Sequence, residues 1–138
     1  MADIVVTVGK VAIVFPEKAE IIDYIAGEAV TKGEAVYVTS TGKLAASGSA
    51  TVGVAHCVGL ALNKGAAGMA VSVLKKGHVE GFTLAGNPGT KVYLSDTAGT
   101  LADAGGTKPN CIGQVVSLTD KALSKVLYVD IDMTRIIV

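Results

Sequence analysis

The chain has 138 residues, half of them hydrophobic, and its 12 basic and 12 acidic side chains cancel. That length suits one domain, and a neutral surface carries no electrostatic footprint for nucleic acid or anionic lipid. With no Trp, two Phe and four Tyr the core must be aliphatic, and seventeen glycines against three prolines point to short strands joined by tight turns.

Residues 3–25 come first and are rich in β-forming residues. Ile4, Val6 and Val8 alternate with Val5 and Thr7, and Val11–Phe15 is a second such run, stopped by Pro16. Asp3 stands where a secretory signal would carry basic charge, and no apolar stretch approaches a membrane span. Residues 1–25 are read as an N-terminal arm and lead-in strand, able to pair with another subunit. A long apolar edge left uncovered would otherwise invite aggregation. Lys18–Ile25 could alternatively make a turn and a half of helix, and Thr119–Lys125 one turn.

Residues 26–138 are read as a single β-domain. Ala35–Thr39 is a strand, Ser40-Thr41-Gly42 a hairpin turn and Lys43–Ala45 its return. Ala46–Ala50 is a small-residue loop, Thr51–Leu62 a long aliphatic strand or two, and Met69–Leu74 a further strand, with a turn at Lys75-Lys76-Gly77. Arg135–Val138 is apolar enough for a last strand.

The chain then repeats itself. Gly33-Glu34-Ala35-Val36-Tyr37-Val38 with Gly42-Lys43-Leu44-Ala45 returns as Gly89-Thr90-Lys91-Val92-Tyr93-Leu94 with Gly99-Thr100-Leu101-Ala102, Ala98 being inserted. His56-Cys57-Val58-Gly59 returns as Asn110-Cys111-Ile112-Gly113, and Ala70–Leu74 pairs loosely with Val126–Asp130. A period of this size marks a duplicated supersecondary unit. The fold class is therefore all-β, a compact barrel or sandwich of two pseudo-repeated modules at about 27–82 and 86–132, with an extended N-terminal arm. Gly33, Tyr37, Gly42, Gly89, Tyr93 and Gly99 are its structural turn and repeat residues.

Candidate chemistry is sparse. His56 and His78 lack acids at metal-ligand spacing, and His56 matches Asn110 in the repeat. There is no Gly-x-Ser-x-Gly elbow, and Gly86-Asn87-Pro88-Gly89 lacks the Lys-Ser/Thr ending of a phosphate loop. Asp130 and Asp132 share a strand face, which reads as solvated. Cys57 and Cys111 read as free thiols acting as small hydrophobes, with a disulfide between them as the alternative. Thr119-Asp120-Lys121-Ala122 is similar to the lipoyl-lysine hairpin of carrier domains, but no matching half-domain follows it. No catalytic, cofactor-binding or metal-binding residue is assigned, and an enzyme is the least supported class.

The ordered series Ala26-Gly27-Glu28-Ala29-Val30, Gly33, Val36-Tyr37-Val38, Gly42-Lys43-Leu44, Val52-Gly53-Val54-Ala55, Val58-Gly59-Leu60-Ala61, then Val71-Ser72-Val73-Leu74 and Gly77-His78-Val79 resembles the head decoration, or cement, proteins of tailed bacteriophages and prophages. The resemblance implies a non-enzymatic virion protein on the outer capsid surface, made in the host bacterial cytoplasm. It implies the major capsid protein and further copies of itself, as a homotrimer, as partners, with no cofactor, nucleic acid, membrane or small-molecule substrate. The arm would contact the capsid through Ile4, Val5, Val6, Val8, Val11, Ile13 and Phe15, so removing residues 1–15 would leave a folded domain that no longer binds shells. A tail-tube or adaptor subunit, or less favourably a lipoyl-type carrier, is the alternative.

Overall fold

Turn chemistry sets the strand boundaries. Gly33, Gly42, Gly68, Gly89 and Gly99 all adopt positive φ between elements, a conformation that costs a side-chain-bearing residue about 1 kcal/mol or more. The computed structural model describes residues 3–50, 55–118 and 121–131. Two strands precede the first repeat, β1 (Ala12–Val14) and β2 (Glu20–Ile25). The first module contains β3 (Ala35–Val38), β4 (Leu44–Ala46), β5 (Gly59–Ala61) and β6 (Ala70–Glu80). The second contains β7 (Lys91–Leu94), β8 (Leu101–Ala102), β9 (Cys111–Leu118) and β10 (Lys121–Asp130).

All pairings between these strands are antiparallel. The strands follow the order β4-β3-β5-β6-β10-β9-β7-β8, with β1 and β2 also pairing with β6. The molecule is all-β, and its sheet curls into a half-barrel. The order reads the same from both ends once β3 to β6 are matched with β7 to β10. Registers match as well. Val36↔Gly59 becomes Val92↔Gly113, Leu60↔Leu74 becomes Gln114↔Tyr128, and Val38↔Leu44 becomes Leu94↔Leu101. The last segment is therefore aligned two residues differently from the sequence reading: Leu74 corresponds to Tyr128, not to Asp130. Lys76 and Asp130 correspond to each other and are themselves paired, so the pseudo-twofold runs between them.

Several local expectations change. Lys75–Gly77 is not a turn: β6 runs through it, with an irregularity where Glu20 pairs with Lys76 and Ile21 with Leu74. Residues 20–25 form the lead-in strand, not the alternative helix, after a single 3-10 turn at Pro16–Lys18. Lys121–Lys125 belongs to β10, which pairs with β9 as a hairpin, and the alternative helical turn is not formed there. Within Thr51–Leu62, strand is confined to Gly59–Ala61 among the described residues. Asp132, Arg135–Val138 and the Thr119-Asp120 pair lie outside the described residues.

Two apolar clusters hold the sheet. The larger joins both modules, bringing Ala35, Cys57, Leu60 and Leu74 against Val92, Leu94, Leu101, Ile112, Val115, Leu127 and Val129. The smaller lies on the other face of the first module, where Val36, Leu44, Ala61, Val71 and Val73 are covered by Ala26 and Val30. Aligned positions thus meet different surroundings. Ala35, Leu60 and Leu74 are buried, whereas their counterparts Lys91, Gln114 and Tyr128 lie on the outside or half-buried. The inserted Ala98 also has a role: its turn packs beside Gly48 of the small-residue loop, where any Cβ would crowd it. There Gly99 donates to the Ser47 carbonyl at 2.7 Å and Ala35 donates to the Gly99 carbonyl at 3.1 Å.

Candidate functional site

The N-terminal segment does not stand off from the domain. Ile4 donates its amide to the Leu101 carbonyl at 2.8 Å, Thr7 donates to Gly81 at 2.8 Å, and Thr83 donates back to Val5 at 2.9 Å. β1 then pairs with β6, Val14 opposite His78. Val11 is fully buried, and Ile4, Val6 and Ile13 pack against the larger core. Two glycines make the room. A Cβ on Gly81 would run into the backbone of Val11, and one on Gly33 would press on the methyls of Val6 and Val11. Of the seven expected contact residues, Val5, Val8 and Phe15 keep large exposed surfaces, at 64%, 41% and 41%. An extended arm presenting all seven is therefore corrected to a docked segment presenting three.

The more open apolar surface belongs to β2. Among the described residues it pairs only with β6. Ala26 donates its amide to the Met69 carbonyl at 2.9 Å. The amides of Tyr24 and Ile22 therefore also point toward β6, and those of Ile21, Asp23 and Ile25 point away from it. Ile21, Ile22 and Ile25 are each 44% exposed and the neighbouring Met69 54%. Next to Met69 lies an apolar groove of about 430 Å³ lined by Ala29, Val30, Gly65 and Ala66. Tyr24 alone of the β2 side chains turns inward, against the smaller core. The lead-in strand expected within residues 1–25 is present, but its open edge with isoleucines on both faces was not among the expected contact residues. Its signal was present in Ile21-Ile22-Asp23-Tyr24-Ile25, a run too apolar to be a solvated strand.

The remaining singled-out residues are structural in their placement. Gly42 sits in an open turn, where Thr39 donates to Lys43 at 2.9 Å and Gly42 to Thr39 at 2.9 Å. Tyr37 and Tyr93 are half-buried opposite Ala45 and Ala102, and Gly89 donates to Val115 at 2.7 Å. Cys57 and Cys111 are unbonded to each other, and each thiol donates to the carbonyl two residues on, Gly59 and Gly113, at 3.3 Å. His56 is exposed, while its counterpart Asn110 is buried and donates to the Ala55 carbonyl.

Two titratable groups are perturbed. His78 lies between the rings of Phe15 (centroids 5.5 Å apart, edge-on) and Tyr128 (4.9 Å). Burial, and then the ammonium of Lys18, lowers its pKa from 6.5. Asp96 accepts from the Thr107 amide at 2.9 Å, the Ser49 hydroxyl at 2.8 Å and the Thr107 hydroxyl at 2.8 Å. Those bonds hold its pKa below 3.8 and tie the small-residue loops of the two modules together. Among the described residues no three His, Cys, Asp or Glu side chains converge as a metal site, and no helix is long and apolar enough to cross a membrane. A scan against protein-family models found no match, and a search of curated proteins found no similar sequence.

Proposed function

We propose that this protein is a structural component of a tailed-phage head. It binds the outer surface of the capsid and holds neighbouring major capsid subunits together against the pressure of the packaged genome. The ordered Gly, Val and Tyr series of residues 26–82 supplies the family resemblance. One structural observation carries the binding reading: β2 offers an open strand edge with Ile21, Ile22, Ile25 and Met69 exposed around it.

Strand addition to such an edge satisfies backbone groups in a fixed register, and the flanking side chains fill apolar pockets on the partner. Val5, Val8 and Phe15 extend the apolar surface the chain can offer. Each Å² of apolar surface covered is worth at most about 25 cal/mol before ordering costs, so the gain per copy is modest and the effect comes from many copies. Three copies meeting at a threefold position would each clamp a different subunit boundary. This mechanical role needs no cofactor or substrate.

Co-sedimentation with expanded, undecorated shells tests it. Wild-type protein is expected to pellet with the shells. Ile22→Asp and Asp23→Pro are expected to weaken binding about tenfold or more, equivalent to about 1.4 kcal/mol of lost contact, with the circular dichroism spectrum retained. Full binding by both variants would exclude β2 as the contact. Rings with an open lumen would favour the tail-tube alternative.

A further inference from the structure

On the outer face of the second module the pairing register lines up a row of side chains across five strands: Val14, His78, Tyr128, Gln114 and Lys91. Asp130 lies two residues beyond Tyr128 and so on the same face. Lys91, Gln114, Tyr128 and Asp130, with the half-buried Cys111, line an open groove of about 250 Å³, in which Gly113 contributes no side chain. At the equivalent positions the first module carries Ala35, Leu60 and Leu74, all buried. Those three face the shared core, whereas the second module turns the same row of positions toward solvent.

We propose that this groove binds a saccharide. A pyranose offers an apolar C–H face and a rim of hydroxyls, each both donor and acceptor. Tyr128 supplies an aromatic surface for the first, next to the His78 ring at 4.9 Å. Gln114 can donate and accept, Asp130 accepts and Lys91 donates, which matches the second. Asp130 also lies opposite Lys76 on the neighbouring strand, so the groove is rimmed by hydrogen-bonding groups of both kinds, as a ring of hydroxyls requires. At about 250 Å³ it is shallower than ordinary ligand sites and suits about one sugar ring, so binding is expected to be weak, with a dissociation constant on the order of 1 mM.

The test is amide chemical-shift mapping of the intact protein during titration with maltose, cellobiose, lactose and N,N′-diacetylchitobiose. At least one sugar is expected to move the amides of Lys91, Gly113, Gln114 and Tyr128–Asp130 in a saturable way. Gln114→Ala and Asp130→Asn, both at exposed positions, are expected to weaken that binding fivefold or more while leaving the rest of the spectrum in place, and Tyr128→Ala to abolish it. No saturable shift at these amides with any of the four sugars would overturn the proposal. So would shifts that persist unchanged in the Gln114 and Asp130 variants.

Discussion

Asp96 is exposed, yet three hydrogen bonds make it the knot between the loops of the two modules. Its folded pKa lies below the ordinary 3.8. The stability it contributes is therefore complete above that value and is lost as the pH falls through the folded pKa. Asp96→Asn is expected to lower the melting temperature at neutral pH, and the gap from wild type should close as the solution becomes strongly acidic. His78, also lowered, is held neutral, so protonating it costs stability as the pH falls below 6.5. His78→Gln should remove that earlier loss in a melting series over pH, leaving the acidic one. Gly59 and Gly113 make a matched pair. A methyl on either would strike the carbonyl of the facing strand, Leu74 or Tyr128. Gly59→Ala and Gly113→Ala should each cost about 1–3 kcal/mol in denaturant unfolding, the usual range for overpacking. A neutral result at one of them would break the equivalence of the modules.

The elements differ in how much of them could be read from the chain. The Tyr37 and Tyr93 hairpins were legible because a turn with Gly at positive φ is a local signal, and it occurred twice. The docking of residues 3–15 was not, because it depends on Gly33 and Gly81, residues far along the chain whose missing side chains leave the space. β2 was ambiguous for a similar reason: its strand form comes from pairing with β6, 49 residues on at Asp23↔Ser72. The consequence is a revised expectation for the N-terminus. Deleting residues 1–15 removes buried Val11 and the β1–β6 pairing, so it should lower the melting temperature rather than leave an intact domain. Val11→Ala alone should cost about 2 kcal/mol. In contrast, Ile22→Asp on β2 should change stability by less than about 0.5 kcal/mol, as for exposed sites in general.

At the scale of the whole molecule, the duplication builds one curled sheet whose two halves share strand order and register but not surroundings. The aliphatic row of the first half is spent on the shared core, and the second half carries a polar face in its place. That division leaves β2 as the apolar surface with an open strand edge, which is where a partner strand can be added. Such a surface fits a protein that holds others together, which is what the proposed capsid decoration role requires. The most direct measurement is an electron cryomicroscopy reconstruction of shells incubated with the protein. The account predicts density on the outer surface across subunit boundaries, with β2 turned toward the shell. Density lining a tail lumen, or shells left bare at saturating protein, would contradict it.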